Sequence, residues 1–289
     1  MIYFCADDYG ISRSSNARIE ECFKNGVLNK ISVLPNGDLS DFNERLLSEN
    51  IKLSLHLNLV EGCPLSKKED VSLLVSEKGF FKYSFIGLFF LSLFGNRRLL
   101  EKQLYNEIKA QIDFWENKMG EKTPILIDSH QHTHMIPSVF KALVKVLKEE
   151  NIKVDYLRIP AEPLMPFIKT PSLYFTYSLV NIIKQWLLNL LWLIDKKELK
   201  DFNIPTALFF GILFSGEMDQ KRVAKILPQY IKLANKTSRD IEVLFHPGYL
   251  EENETDFKNK NIVFKDFYLS KNRKTEFDSV MELVERSVT

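Results

Sequence analysis

Pro124-Ile125-Leu126-Ile127-Asp128-Ser129-His130-Gln131-His132-Thr133-His134 is the stretch on which the chain turns. A short apolar run ends in an aspartate, and three histidines follow at alternate positions. The sequence holds five histidines in all. The other two are His56, in Leu55-His56-Leu57-Asn58-Leu59, and His246, in Phe245-His246-Pro247-Gly248. Each of the three places closes a short β-rich apolar run, which points to one centre assembled from the ends of several strands.

Working outward, the same unit recurs. Residues 2–6, 31–34, 51–57, 125–127, 154–159, 207–210 and 241–245 read as strands. Helical patterns lie between them. Ser12, Ser14 and Ser15 offer caps for a helix running to Asn25, with Gly26 as its stop. Residues 39–49 carry apolar positions at helical spacing, and so do 99–119, which Gly120 ends. Pro137 opens a helix running to Asn151, and residues 218–235 and a segment from about Thr275 read as helix as well. Ile262-Val263-Phe264 is strand-like. Strands alternating with helices predict a mostly parallel α/β fold. About seven such units favour a (β/α) barrel or incomplete barrel over an open sheet. The chain, residues 1–289, reads as a single domain with apolar helical insertions near 80–98 and 165–200. The chemistry-bearing residues sit at or just past strand C-terminal ends, the face of an α/β barrel where sites form.

A chain of 289 residues with net charge +1 has no clustered basic footprint, so no nucleic-acid partner is expected. Cys5, Cys22 and Cys63 are odd in number and form no Cys-x-x-Cys, which reads as reduced thiols and a cytoplasmic protein. The N-terminal run Met1–Ala6 lacks a basic segment and a cleavage site, so no signal peptide is expected.

Histidine and carboxylate together hold Zn²⁺ and similar divalent ions, with an open position left for water in a catalytic site. If the extended backbone continued past Ser129, then Asp128, His130, His132 and His134 would share a face, until a turn broke the alternation. A lone histidine is usually a satisfied core residue. Here none lies outside the strand-end clusters, and a metal site is expected. Asp7-Asp8 reads either as a turn or helix cap, or as a pair in which one carboxylate ligates and the other stays free as a base. Pro247 restricts His246 to extended geometry, which suits a catalytic or supporting histidine. Arg158 is open between a structural ion pair and a substrate or supporting contact. Asn58 and Asn36 read as turn or supporting residues, and Glu217 as surface.

Asp7-Asp8-Tyr9-Gly10, His56-Leu57-Asn58-Leu59, Asp128–His134 and His246-Pro247-Gly248 resemble, in order and spacing, the YdjC-like (ChbG) carbohydrate deacetylases, relatives of the NodB-type polysaccharide deacetylases. The resemblance spans residue 2 to about 250; Tyr9 stands where the family more often has phenylalanine. It implies a distorted barrel, one divalent cation (Mg²⁺ or Zn²⁺), and removal of the N-acetyl group from an acetylated amino sugar such as a chito-oligosaccharide; a lipid-linked sugar enters only if an apolar segment of this chain lies on a membrane. Carried over by position, Asp8, His56 and His130 are expected to ligate the metal, Asp7 to act as base and His246 as acid. Asp128, His132, His134, Arg158 and Asn58 are then supporting or substrate-facing. Two rival readings are a metal-dependent phosphoesterase, which would want more carboxylates and phosphate-binding basic residues, and an inactive metal-holding, partner-binding protein. A homo-oligomer is compatible with either.

Two apolar segments, 85–94 and 173–194, depart from the pattern of small-sugar enzymes. The second is long enough to raise a membrane span. Against a span, Asn181, Lys184, Gln185 and Asn189 form a polar stripe, and a span would separate His246 from the other histidines. The readings left are a packed or partner-facing helix, and an amphipathic helix lying on the inner face of a membrane through 173–194.

Overall fold

The computed structural model describes residues 1–40, 42, 46, 51–120, 124–254 and 265–283. The expected helix over 39–49 and the strand-like 262–264 lie largely or wholly outside them.

Seven strands form one all-parallel sheet: β1 (Ile2–Tyr9), β2 (Lys30–Val33), β3 (Lys52–Leu57), β4 (Ile125–Ser129), β5 (Val154–Leu157), β6 (Leu208–Phe210) and β7 (Ile241–Phe245). Their order is β5-β4-β3-β2-β1-β7-β6. The sheet curls into a half-barrel. Its two edges are linked just ahead of β6, where Leu157 N–H donates to the Pro205 carbonyl at 3.1 Å. The expectation of an incomplete parallel barrel holds.

The strands alternate in an unusual sense. Ile31, Val33, Leu53, Leu55, Leu57, Ile127, Val243 and Phe245 share a core with helix residues such as Ile19, Ile108, Leu143 and Val223. Many of their sequence neighbours are polar and buried, among them Lys30, Ser32, Ser54, His56, Asp128 and Glu242. Inside the curl, Lys30 Nζ donates to Asp128 Oδ2 at 3.1 Å and to Glu242 Oε1 at 2.8 Å, joining β2 to β4 and β7. Arg158, just past β5, reaches Glu242 at 2.8 Å and Asp7 of β1 at 2.6 Å. All of these side chains are buried. Buried charges persist only where each is paired and hydrogen-bonded, and here each cation meets at least two carboxylates.

The helices follow their caps. Ser12 accepts from Ser15 N–H to start Arg13–Asn25, and Asn96 accepts from Leu99 N–H to start Arg97–Met119. Gly120 ends the latter at φ 98°. The apolar segments form a helix over Phe85–Phe94 and a second over Leu179–Asp195. Residues 173–194 are therefore not one helix: a 3₁₀ turn at Pro171–Thr176 precedes the second, with extended backbone at Tyr177 and Ser178. Among the described residues, no helix is long and apolar enough to cross a membrane.

Candidate active site

Asp7 and Asp8 are adjacent on β1, so simple strand alternation would send them to opposite faces. The backbone prevents this. Asp8 has φ 73°, and the β1–β2 register shifts between Ala6 and Tyr9. This left-handed residue is tolerated for aspartate and is typical of strained functional positions. It turns the Asp8 carboxylate inward beside Asp7. Both are buried and both line one cavity of about 410 Å³.

His56, at the end of β3, and His130, just past β4, complete the floor of that cavity. His130 Nδ1 lies 2.8 Å from Asp8 Oδ1, and His56 Nε2 lies 3.4 Å from the same oxygen. Each ring is held from behind by a second carboxylate. His56 Nδ1 is 2.6 Å from Asp128 Oδ1, and His130 Nε2 is 3.1 Å from Glu61 Oε2. A carboxylate can only accept, so these contacts place a proton on the rear nitrogen of each ring. Facing Asp8, which also only accepts, His56 Nε2 and His130 Nδ1 carry protons in the metal-free site; a cation taking those protons' places would find two lone pairs oriented from behind by carboxylates, the arrangement found at metal-bound histidines. His56 Nε2 is buried with no hydrogen-bond partner, and one donor atom each from Asp8, His56 and His130 lie within 4.8 Å of one another. Two imidazoles and a carboxylate thus fit a divalent cation. Two other acidic groupings, Cys5-Asp128-Glu242 and Asp7-His56-Asp128, are as compact. In them Asp128, Glu242 and Asp7 already serve Lys30 and Arg158.

The electrostatics follow from these contacts. Burial opposes charge on His56, but the Asp7 carboxylate, the hydrogen bond to Asp128 and the nearby Asp8 carboxylate outweigh it and raise the ring's pKa. Burial opposes charge on His130 as well, and Asp8 and Glu61 push it up to about 10. Asp7 is held below the usual carboxylate range: burial raises it, and Arg158 and His56 more than reverse that. Arg158 makes a two-pronged contact with Asp7, Nη1–Oδ2 at 2.6 Å and Nη2–Oδ1 at 2.8 Å. Asp8 is clamped on its far side by Arg273.

His246 lines the same cavity. Its Nδ1 lies 3.2 Å from Glu276 Oε2, which also accepts from the His246 backbone N–H at 2.5 Å. The next turn is closely packed: Ser15 Oγ donates to the Gly248 carbonyl at 3.1 Å, and a Cβ on Gly248 would stand 2.3 Å from that oxygen. Only glycine fits so near an approach.

The remaining candidates separate. The alternation does not persist through the triple histidine. β4 ends at Ser129, and His130–Met135 is a tight turn with left-handed Gln131 and His132 (φ 52° and 58°). His132 lines the cavity edge-on to Phe209, whereas His134 is directed away, bonded to Ser129 Oγ and to the Arg158 carbonyl at 2.8 Å. Burial drives both rings below their ordinary range. Asn58 shapes a turn: its Oδ1 accepts from the N–H groups of Val60 and Glu61 at 3.1 Å. Gln111 of the 97–119 helix anchors that turn through the Asn58 backbone at 2.9 and 2.6 Å. Asn58 therefore sets the position of Glu61, which sets the His130 ring. Glu217 is partly exposed and pairs with Arg222.

Sequence reasoning missed Glu61, Tyr268, Arg273, Glu276, Lys30 and Glu242. Tyr268 donates to Glu61 Oε2 at 2.8 Å. The available signals were weak: Glu61 closes an otherwise apolar stretch, and Arg273 and Glu276 stand three apart on the last helix, Lys271–Glu282.

A family model described as YdjC-like protein matches residues 1–284. The chain belongs to this family. A carbohydrate deacetylase of Clostridium beijerinckii is 33% identical over 193 residues, which is 64% of this chain and 73% of that protein. A carbohydrate deacetylase of Xenopus laevis is 26% identical over 281 residues, 84% of this chain and 79% of that protein. A solved structure described as a putative cellobiose-phosphate cleavage protein of Enterococcus faecalis superposes with a TM-score of 0.66. It covers 99% of this chain and 93% of that one at 17% identity, a likeness of fold.

Proposed function

We propose that the protein is a metal-dependent N-deacetylase acting on an acetylated amino sugar. The observation that carries this reading is the convergence of Asp8, His56 and His130 with Asp7 and His246 on one cavity. The family and the names of its similar members supply the substrate class.

Asp8, His56 and His130 would hold one divalent cation, and the two imidazole nitrogens favour Zn²⁺ over the oxygen-seeking Mg²⁺. When bound, the cation polarises the acetamide carbonyl and acidifies the attacking water. Asp7, kept ionised and aimed by Arg158, takes a proton from the water as its oxygen adds to the carbonyl carbon. The C–N bond breaks, and His246 Nε2 delivers a proton to the departing amine while Glu276 steadies the ring. The products are acetate and a free amino sugar. Asp128 and Glu61 orient the two histidine ligands, and His132 shapes the wall.

The test is acetate release from a panel of N-acetylated sugars, with and without a chelator, with phosphate release from sugar phosphates measured in parallel. Acetate release that stops with chelator and returns with Zn²⁺ is expected. Phosphate release without acetate would transfer the site to phosphoester chemistry.

A further inference from the structure

The Leu179–Asp195 helix is built inside out. Its polar stripe faces the protein. Asn181 Nδ2 donates to the Ser215 carbonyl at 3.1 Å, and Gln185 Nε2 and Asn189 Nδ2 donate to the Glu162 carbonyl at 2.9 and 3.3 Å. Its apolar stripe faces outward: Leu179, Ile183, Trp186, Leu190 and Leu193, each 56–71% exposed, follow one another at steps of three and four. The Phe85–Phe94 helix does the same with Ile86, Phe90, Leu93 and Phe94, exposed by 52–80%. Contiguous apolar surface on this scale marks an interaction site.

Both helices reach the cavity that holds Asp7, Asp8 and His246. Phe85 and Ile86 form part of its wall from one, and Lys184, Leu187 and Leu188 from the other. The outward stripes therefore flank the entrance to the candidate active site. The exposed charge along both segments is positive: Arg97 and Arg98 within residues 84–100, and Lys169, Lys184, Lys196 and Lys197 within 163–197, where the acid, Asp195, is buried. Aliphatic and tryptophan side chains with a positive fringe match an anionic bilayer. Among the described residues no helix is long and apolar enough to cross a membrane, so a bilayer would meet this face lying along its surface.

We infer that these two helices dock the protein on an anionic phospholipid surface and that the acetylated amino sugar it takes is anchored to a lipid. The second part rests on the deacetylase reading above; the first does not. With the stripes against the bilayer, the cavity opens at the lipid–water boundary, where the headgroup sugar of a glycolipid lies. Its lipid stem would pass between Ile86 and Leu187.

The test uses the full chain and a variant carrying Phe90→Glu, Trp186→Glu and Leu193→Glu, three exposed positions outside the cavity lining. Circular dichroism and thermal melting check that the variant folds. Flotation uses phosphatidylcholine vesicles with and without phosphatidylglycerol. Turnover uses hexadecyl N-acetylglucosaminide in vesicles against di-N-acetylchitobiose in solution. The wild type is expected to float with anionic vesicles, less so in high salt, and the variant to remain below. Surface capture raises local substrate concentration, so wild-type kcat/KM is expected to favour the vesicle-borne sugar on the order of 10²-fold. The variant should lose that preference and keep its rate on the soluble sugar. Failure of the wild type to float overturns docking, as does a dimer that dissociates in the variant without any vesicle binding. Flotation with equal turnover of both sugars overturns the lipid-linked substrate alone. Flotation with no acetate from either sugar overturns the deacetylase reading and leaves docking standing.

Discussion

Replacing Asp128 with asparagine separates holding a metal from orienting its ligand. Asp128 Oδ2 accepts from Ser32 and Ser54 at 2.7 and 2.8 Å and from Lys30 at 3.1 Å, while Oδ1 takes the His56 Nδ1 proton at 2.6 Å. Asparagine fills the same space but has one acceptor oxygen and one donor nitrogen. If the oxygen keeps Lys30 and the two serines, the NH₂ meets the His56 N–H. The ring must then move its proton to Nε2, where the cation needs a lone pair. If the amide flips, two or three donors face a donor. Orienting partners of this kind contribute about 10- to 100-fold in metal affinity, or about 1.4–2.7 kcal/mol. Removing one member of a buried charge group costs about 3–5 kcal/mol in stability. The lower end applies here, because Lys30 and Arg158 each retain Glu242 at 2.8 Å. Competition against a chromophoric chelator gives the dissociation constant, and urea unfolding of the metal-free protein gives the stability. A dissociation constant equal to wild type alongside the expected stability loss would falsify the idea that Asp128 acts through the His56 ring.

Asp7→Asn is expected to retain one metal per chain by elemental analysis and to lose turnover on the order of 10²–10⁴-fold, the scale of a general base; full activity would remove Asp7 from that role. His130→Ala is expected to lose the metal, and a stoichiometric metal content in the purified variant would reject His130 as a ligand. Glu162 gives a pH prediction away from the site. Burial pushes its carboxyl up to about 7, against backbone N–H donors at Gly211, Leu213 and Ile212. The neutral form is favoured in the fold, so its contribution is complete below the ordinary value of 4.5 and is lost as pH rises through about 7. Glu162→Gln has no such loss. Urea unfolding across that window should show the stability difference move in favour of glutamine by about 3 kcal/mol, and a pH-independent difference would show that Glu162 does not titrate there.

The parallel half-barrel was legible because short apolar runs and helical periods alternate along the whole chain. The site's strand ends were legible because its histidines occur nowhere else. What stayed hidden depends on contacts between distant parts of the chain. Asp7 and Asp8 are adjacent in sequence, but only the left-handed backbone at Asp8 makes them neighbours in space, and Asp8 is then held by Arg273, which lies 265 residues away. Glu61 and Glu276 look like ordinary surface acids in the sequence; a turn built by Asn58 and the last helix bring them behind His130 and His246. The stripe of Asn181, Gln185 and Asn189 was visible, but periodicity does not say which face of a helix looks outward. That choice is made by the Glu162 and Ser215 carbonyls, which need donors.

The buried network also explains why the site suits a doubly charged ion. Asp7, Asp8, Glu61, Asp128 and Glu242 are connected through hydrogen bonds and ion pairs to Lys30, Arg158 and Arg273, with His56 and His130 between them, and all are buried. Five carboxylates against three fixed cations leave a formal excess of two negative charges in a low-dielectric volume, which a protein does not tolerate without compensation. Protons on His56 and His130 are one source of the missing charge, and these are the rings whose pKa is raised. On the proposed reading, a divalent cation between the same rings would be the other. It would supply two charges where Asp8 meets both histidines and displace the protons that would otherwise occupy them, so metal and protons would compete for one position and metal affinity would rise with pH. Arg158 and Lys30 are buried and held by Asp7, Asp128 and Glu242; on the same reading they would set the charge of the barrel interior rather than meet substrate.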